Sequence, residues 1–128
     1  MPLPPALLLL SYDPVLADLV RETLKYPWKF VCGRPDRYLS YKIFREPNVR
    51  LVLLDDEAIQ EDDRVWLLTQ LRKHFSGSPL LYVASAHSES TEKQARTNGA
   101  QYYALKPLSA EHFGPVLCSF LLSQEIKG

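Results

Sequence analysis

Short apolar runs with no two-residue alternation recur along this chain, and each leads into a segment with helical spacing. Ala6–Leu10 is the first; Phe30–Cys32, Leu51–Leu54, Leu80–Val83 and Gln101–Leu105 follow. A strand solvated on one face alternates apolar and polar side chains, whereas a strand buried on both faces reads as a continuous apolar run. The pattern therefore predicts a parallel sheet covered by helices on both faces.

The connecting segments carry helix signals. Asp13 stands where an N-cap belongs, with Pro14 at the first helical position, and Val15, Leu16, Leu19, Val20 and Leu24 follow at helical spacing until Pro27. A weaker helix is expected over about Arg37–Arg45, with Tyr38, Leu39, Ile43 and Phe44. The clearest one is Asp63–His74, with Val65, Trp66, Leu68, Leu71 and Phe75 on one side, broken by Ser76-Gly77-Ser78-Pro79. Ser88–Asn98 is polar apart from Ala95 and closes on Asn98-Gly99, a C-cap signal. Ser109 caps the last helix, which is expected to bury Phe113, Leu117, Phe120 and Leu121. Gly114-Pro115 predicts a kink or a delayed start there.

At 128 residues the chain suits one domain with one core. Its charge balance, 15 Lys+Arg against 15 Asp+Glu, gives no global field for nucleic acid or an anionic membrane. Cys32 and Cys118 are too few and too far apart for a disulfide framework or a metal knuckle, and Cys118 reads as a small core residue. The opening MPLPPALLLL lacks a basic n-region and a small-residue cleavage pattern, and no stretch approaches the roughly 20 apolar residues of a span. A cytoplasmic domain is expected, with any output domain outside this chain. His74, His87 and His112 show no ligand spacing.

Each strand but the short second delivers polar groups at its carboxyl end, the edge where open α/β sheets bind ligands. These are Ser11, Tyr12 and Asp13; Asp55 and Asp56; Ala84 and Ser85; and Lys106-Pro107. An Asp, a hydroxyl and a Lys converging there could serve an aspartyl-phosphate switch. The carboxylate would be the nucleophile, the ammonium would offset phosphoryl charge, and the hydroxyl would bond a phosphoryl oxygen. Asp13 reads more simply as a helix cap, and Asp55 with Lys106 as a structural ion pair.

Leu51-Val52-Leu53-Leu54-Asp55, Gly99-Ala100, Tyr103 and Lys106-Pro107, in this order and spacing, resemble the bacterial two-component response-regulator receiver domain over essentially the whole length. The resemblance implies a flavodoxin-like (CheY-like), doubly wound, five-stranded parallel sheet of order 2-1-3-4-5 in three layers. It implies Asp55 as phospho-acceptor, Lys106 as the phosphate-contacting lysine before a cis peptide, and Tyr103 as the switch aromatic. The departures are equally specific. The two adjacent acids that hold Mg²⁺ in the family fall here on Ser11 and Tyr12, which removes up to two charges from a site for a hard cation. Ala84 takes the Ser/Thr position unless a one-residue loop difference restores Ser85. The segment Glu57–Glu61 lacks the family's Pro and Gly.

The chain thus resembles a degenerate receiver, or pseudo-receiver, expected to work as a signalling interaction module without a cofactor, and not as an enzyme. Its partner surface would be the face of the fourth helix, fifth strand and fifth helix, including Gln94, Arg96, Tyr102, Tyr103 and parts of Ser109–Leu122, and a homodimer through it is compatible with the resemblance. One alternative is a working phospho-acceptor served by a histidine kinase, with Mg²⁺ held by Asp13, Asp55 and Glu57; Asp56 could also help rebuild such a site. Another is a small-molecule binder on the same fold. No G-x-G-x-x-G or P-loop supports a nucleotide at the first strand end.

Overall fold

The computed structural model describes residues 3–33 and 40–127. Five strands alternate with helices: β1 (Ala6–Leu10), α1 (Pro14–Thr23), β2 (Lys29–Gly33), α2 (Ser40–Ile43), β3 (Val49–Asp55), α3 (Arg64–His74), β4 (Leu80–Ala84), α4 (Glu89–Thr97), β5 (Ala100–Leu105) and α5 (Ala110–Lys127). All four strand pairs are parallel and the sheet order is β2-β1-β3-β4-β5, the expected topology.

The uninterrupted apolar runs have the expected cause. All of β1 and β4 is buried, and alternate residues serve opposite layers. Leu8, Leu10, Leu54 and Tyr82 pack with Leu67, Leu68 and Leu71 of α3. Leu7, Leu9, Leu81 and Val83 pack with Leu16 and Val20 of α1 and with Phe113 and Leu117 of α5. The strand carboxyl ends consequently line up along one edge, which sets the site.

Several boundaries and faces differ from the sequence expectations. β3 starts two residues earlier and reaches Asp55, because its pairing with β1 and β4 extends along that whole length. On α3 the buried stripe is Leu67, Leu68 and Leu71, while Val65 stays 43% exposed. Cys118 is exposed, not core: the inward line of α5 runs Phe113, Leu117, Leu121, Gln124, and residue 118 falls beside it. α5 also begins at Ala110 with no delay, carrying Pro115 inside it. Ser109 caps it as expected, its hydroxyl accepting from the His112 N–H at 3.2 Å. Of the weak helix expected over about Arg37–Arg45, Ser40–Ile43 is helical; Arg37, Tyr38 and Leu39 lie outside the described residues. None of the described helices is long and apolar enough to cross a membrane.

Candidate functional site: a lysine among carboxylates at the strand ends

Asp55 ends β3 and is 1% exposed. A carboxylate this deep requires partners, and three donors supply them. Ser11 Oγ donates to Oδ2 at 2.6 Å, Lys106 Nζ donates to the same oxygen at 2.9 Å, and the Glu57 N–H donates to Oδ1 at 3.1 Å. Ser11 is itself buried and accepts the Asp13 N–H at 2.9 Å, so one hydroxyl ties the β1 loop to Asp55.

Lys106 leaves the end of β5 and reaches across the edge. Its ammonium lies 3.0 Å from Asp13 Oδ2, 2.9 Å from Asp55 Oδ2 and 3.5 Å from Glu57 Oε1. Burial alone would lower the lysine pKa. The bonds to Asp55 and Asp13 outweigh it and hold the ammonium above its ordinary value. The bond from Lys106 likewise holds the Asp13 carboxyl below the usual range. Asp13 combines two roles, because its other oxygen caps α1 by accepting the Val15 N–H at 2.9 Å. The Lys106-Pro107 peptide is cis.

The structure brings Ser11, Asp13, Asp55, Glu57 and Lys106 together and places the remaining candidates elsewhere. Tyr12 is 55% exposed. Ala84 ends β4 and is fully buried, whereas Ser85 is exposed. The Ser85 backbone N–H donates to Asp56 Oδ1 at 2.9 Å, and no hydrogen bond joins its hydroxyl to Asp55. Asp56 turns away from Lys106 and accepts instead from Ser85 and from the Tyr82 hydroxyl at 3.3 Å. Tyr103 stacks on Tyr82 with centroids 5.6 Å apart and planes 6° from parallel; Tyr102 packs edge-on against Phe120 at 6.3 Å. Tyr102 and Tyr103 are both half-buried. Burial, reinforced by the Asp56 charge, raises the phenol pKa of Tyr82 and of Tyr103.

The Asp56–Tyr82–Tyr103 connection was not foreseen from the sequence. Its one signal there is a second acid directly after a strand-ending acid. Two short 3-10 turns, Asp56–Ala58 and Glu61–Asp63, replace an ordered helix start and aim the two acids in different directions.

The donor set suits a tethered ammonium better than a divalent ion. Mg²⁺ prefers six oxygens in near-octahedral array. An ion held by Asp13, Asp55 and Glu57 would have to displace Lys106 Nζ from them, and the buried Ser11 hydroxyl beside Asp55 is neutral. No His/Cys/Asp/Glu cluster with metal-holding geometry occurs among the described residues.

No protein-family model matches the chain. No curated protein matches it either. Solved structures do. A response regulator from Thermotoga maritima superposes with a TM-score of 0.77 at 15% identity, over 93% of this chain and 98% of that one. A CheY-like receiver domain protein from Methanospirillum hungatei gives 0.76 at 21% identity, over 97% and 98%. The fold is that of CheY-like receiver domains. A pilus assembly-related protein from Burkholderia pseudomallei shares it as well, with a TM-score of 0.70 at 19% identity over 94% and 91%. In receiver-fold terms, Asp55 and Lys106 occupy the ends of β3 and β5, and Ser11 with Tyr12 the end of β1.

Proposed function

We propose that this receiver-fold domain is a protein-interaction module in signalling that acts without Mg²⁺-dependent phosphorylation of Asp55. The engagement of Asp55 carries the reading. Attack on a phosphoryl group needs a free carboxylate oxygen and a cation that draws charge from the transferring group. Here Oδ2 is shared by Ser11 and Lys106, Oδ1 is held by the Glu57 N–H, and the side chain is buried. Neither Ser11 nor Tyr12 supplies the anionic oxygen that Mg²⁺ would need in exchange for its water. The neighbours named as response regulators support a role in signalling.

The proposed partner face is formed by α4, β5 and α5. Leu105 is 45% exposed at the end of β5, and a cleft of about 270 Å³ lies beside it, lined by Tyr102, Tyr103 and His112. Isolated exposed leucines need no explanation, but Leu105 and Leu108 lining a cleft with two half-buried tyrosines suit a protein contact.

The phospho-acceptor reading keeps one specific observation. Asp13, Asp55 and Glu57 converge on one atom, so displacement of Lys106 would leave three carboxylates facing one point. The deciding experiment is incubation with acetyl phosphate and Mg²⁺ followed by intact mass, with Asp55→Ala beside it and a competent receiver as positive control. The proposal expects no adduct from the folded protein. An adduct that requires both Mg²⁺ and Asp55 would replace it with the phospho-acceptor.

A further inference from the structure

The opposite, amino-terminal edge of the sheet carries a second cleft, of about 470 Å³, between the start of β3, the end of α3 and the segment that follows α2. Its size is in the range of small-ligand sites. Arg50 supplies its charge. The guanidinium Nε donates to Asn48 Oδ1 at 3.1 Å and Nη1 reaches the Gln124 carbonyl at 3.5 Å. Both acceptors are neutral, and no carboxylate among the described residues pairs with Arg50. A half-buried guanidinium held in place by neutral groups keeps its charge and its remaining donors for an external anion.

The rest of the lining agrees. Glu46 is the one carboxylate there, and its Oε1 is already taken by Lys29 Nζ at 2.7 Å. Gln124 is 5% exposed, lines the cleft, and makes no side-chain hydrogen bond to a described residue. Ser76 adds a hydroxyl. Arg72 and Lys73 add positive charge in the last turn of α3, near this edge, while the other edge gathers Asp13, Asp55, Asp56 and Glu57. The cleft also holds an aromatic platform: His74 stacks on Phe44 with centroids 4.5 Å apart and planes 9° from parallel. His74 is exposed, so its outer face is open to a further ring.

We propose that this cleft binds a small phosphate monoester carrying a planar ring, the chemistry of a nucleoside monophosphate. The phosphate pairs with Arg50 and the ring lies against His74. The site is remote from Asp55 and stands independently of whether that residue is phosphorylated.

The test is a calorimetric titration of the whole chain at low ionic strength with three probes: AMP, adenosine and inorganic phosphate. AMP should bind saturably, and each half alone at least about tenfold more weakly, since each makes only part of the contact. Arg50→Gln should weaken AMP by about tenfold or more, the loss of a charge-assisted pair. His74→Ala, a change at an exposed residue, should weaken AMP but leave inorganic phosphate unchanged. Lys93→Gln, exposed on α4, should change neither. Unfolding of Arg50→Gln would leave the His74→Ala comparison to decide. No AMP binding up to about 5 mM would overturn the site. Equal binding of AMP and inorganic phosphate, or AMP binding untouched by both variants, would also overturn it, as an adventitious ion only.

Discussion

Lys106 Nζ offsets three carboxylates at once, and the consequences can be worked out atom by atom. Removing it in Lys106→Met strands Asp55, buried, with Ser11 and one N–H as its remaining donors. Breaking a buried pair from one side typically costs about 3–5 kcal/mol, and urea unfolding should show a loss of that order. Ser11→Ala deletes the 2.6 Å bond to Asp55 and the acceptor for the Asp13 N–H, for an expected loss of about 1–3 kcal/mol by the same measurement. The pH dependence follows from the two shifts. The Lys106 pKa is raised above 10.5, so its contribution is complete below that pH and disappears as pH climbs through the folded-state value. The Asp13 pKa is lowered from 3.8, so its contribution is complete above that pH and disappears as pH falls through the lower folded-state value. Between these limits the pair should give a flat profile, and in Lys106→Met the alkaline limb of the urea-stability curve should shrink. A curve unchanged at both ends would refute the pairing.

α4 is held by little apolar burial. Ala95 is its one buried residue, and its start depends on Ser88 Oγ accepting the Thr91 N–H at 3.2 Å. Ser88→Ala should cost about 1 kcal/mol. Amide hydrogen exchange should be faster across Glu89–Thr97 than across Arg64–His74, which is anchored by Leu67, Leu68 and Leu71. Equal protection of the two helices would contradict this. Local chemistry made most element ends legible: Asp13-Pro14 opens α1, Ser88 opens α4, and Gly99 follows α4 at φ 104°, where a side chain is disfavoured. Faces were less legible. The pattern on α3 offered Val65 alongside Leu68 and Leu71, and only the direction of the sheet decided that Leu67 points inward and Val65 outward.

The whole molecule has zero formal net charge, yet Asp13, Asp55, Asp56 and Glu57 gather at one end of the strands while Arg50, Arg72 and Lys73 stand at the other. Helix chemistry accounts for much of this. Asp13, Glu89 and Glu111 sit at helix starts, while Arg21, Arg96 and the Arg72-Lys73-His74 run sit at helix ends, as the helix dipole favours. In a parallel α/β sheet every such start lies on one edge. The fold therefore converts a local preference into two edges of opposite sign, one carrying the Asp55 cluster and one the Arg50 cleft. The core has two layers that meet only through the sheet. Leu9, fully buried in the α1–α5 layer, should cost about 2–5 kcal/mol on truncation to Ala, and the unfolding transition should stay single.

By itself the sequence determined the order and type of the strands, the parallel topology, the caps, and the meeting of Asp55 with Lys106 at one edge. The elements and caps follow from periodicity and turn chemistry, which act over a few residues, and the meeting at one edge follows from the parallel arrangement those elements require. Tertiary structure alone decided which donors satisfy Asp55 and Asp56. Residues 11, 55 and 106 are far apart in sequence, and the 3-10 turns after β3 turn Glu57 toward Lys106 and Asp56 toward Tyr82. Tertiary structure likewise made the Arg50 cleft, whose walls come from three stretches of chain far apart in sequence and carry no motif. A hydrogen bond is settled within a few tenths of an ångström, and no spacing rule reaches that scale across segments brought together only by folding.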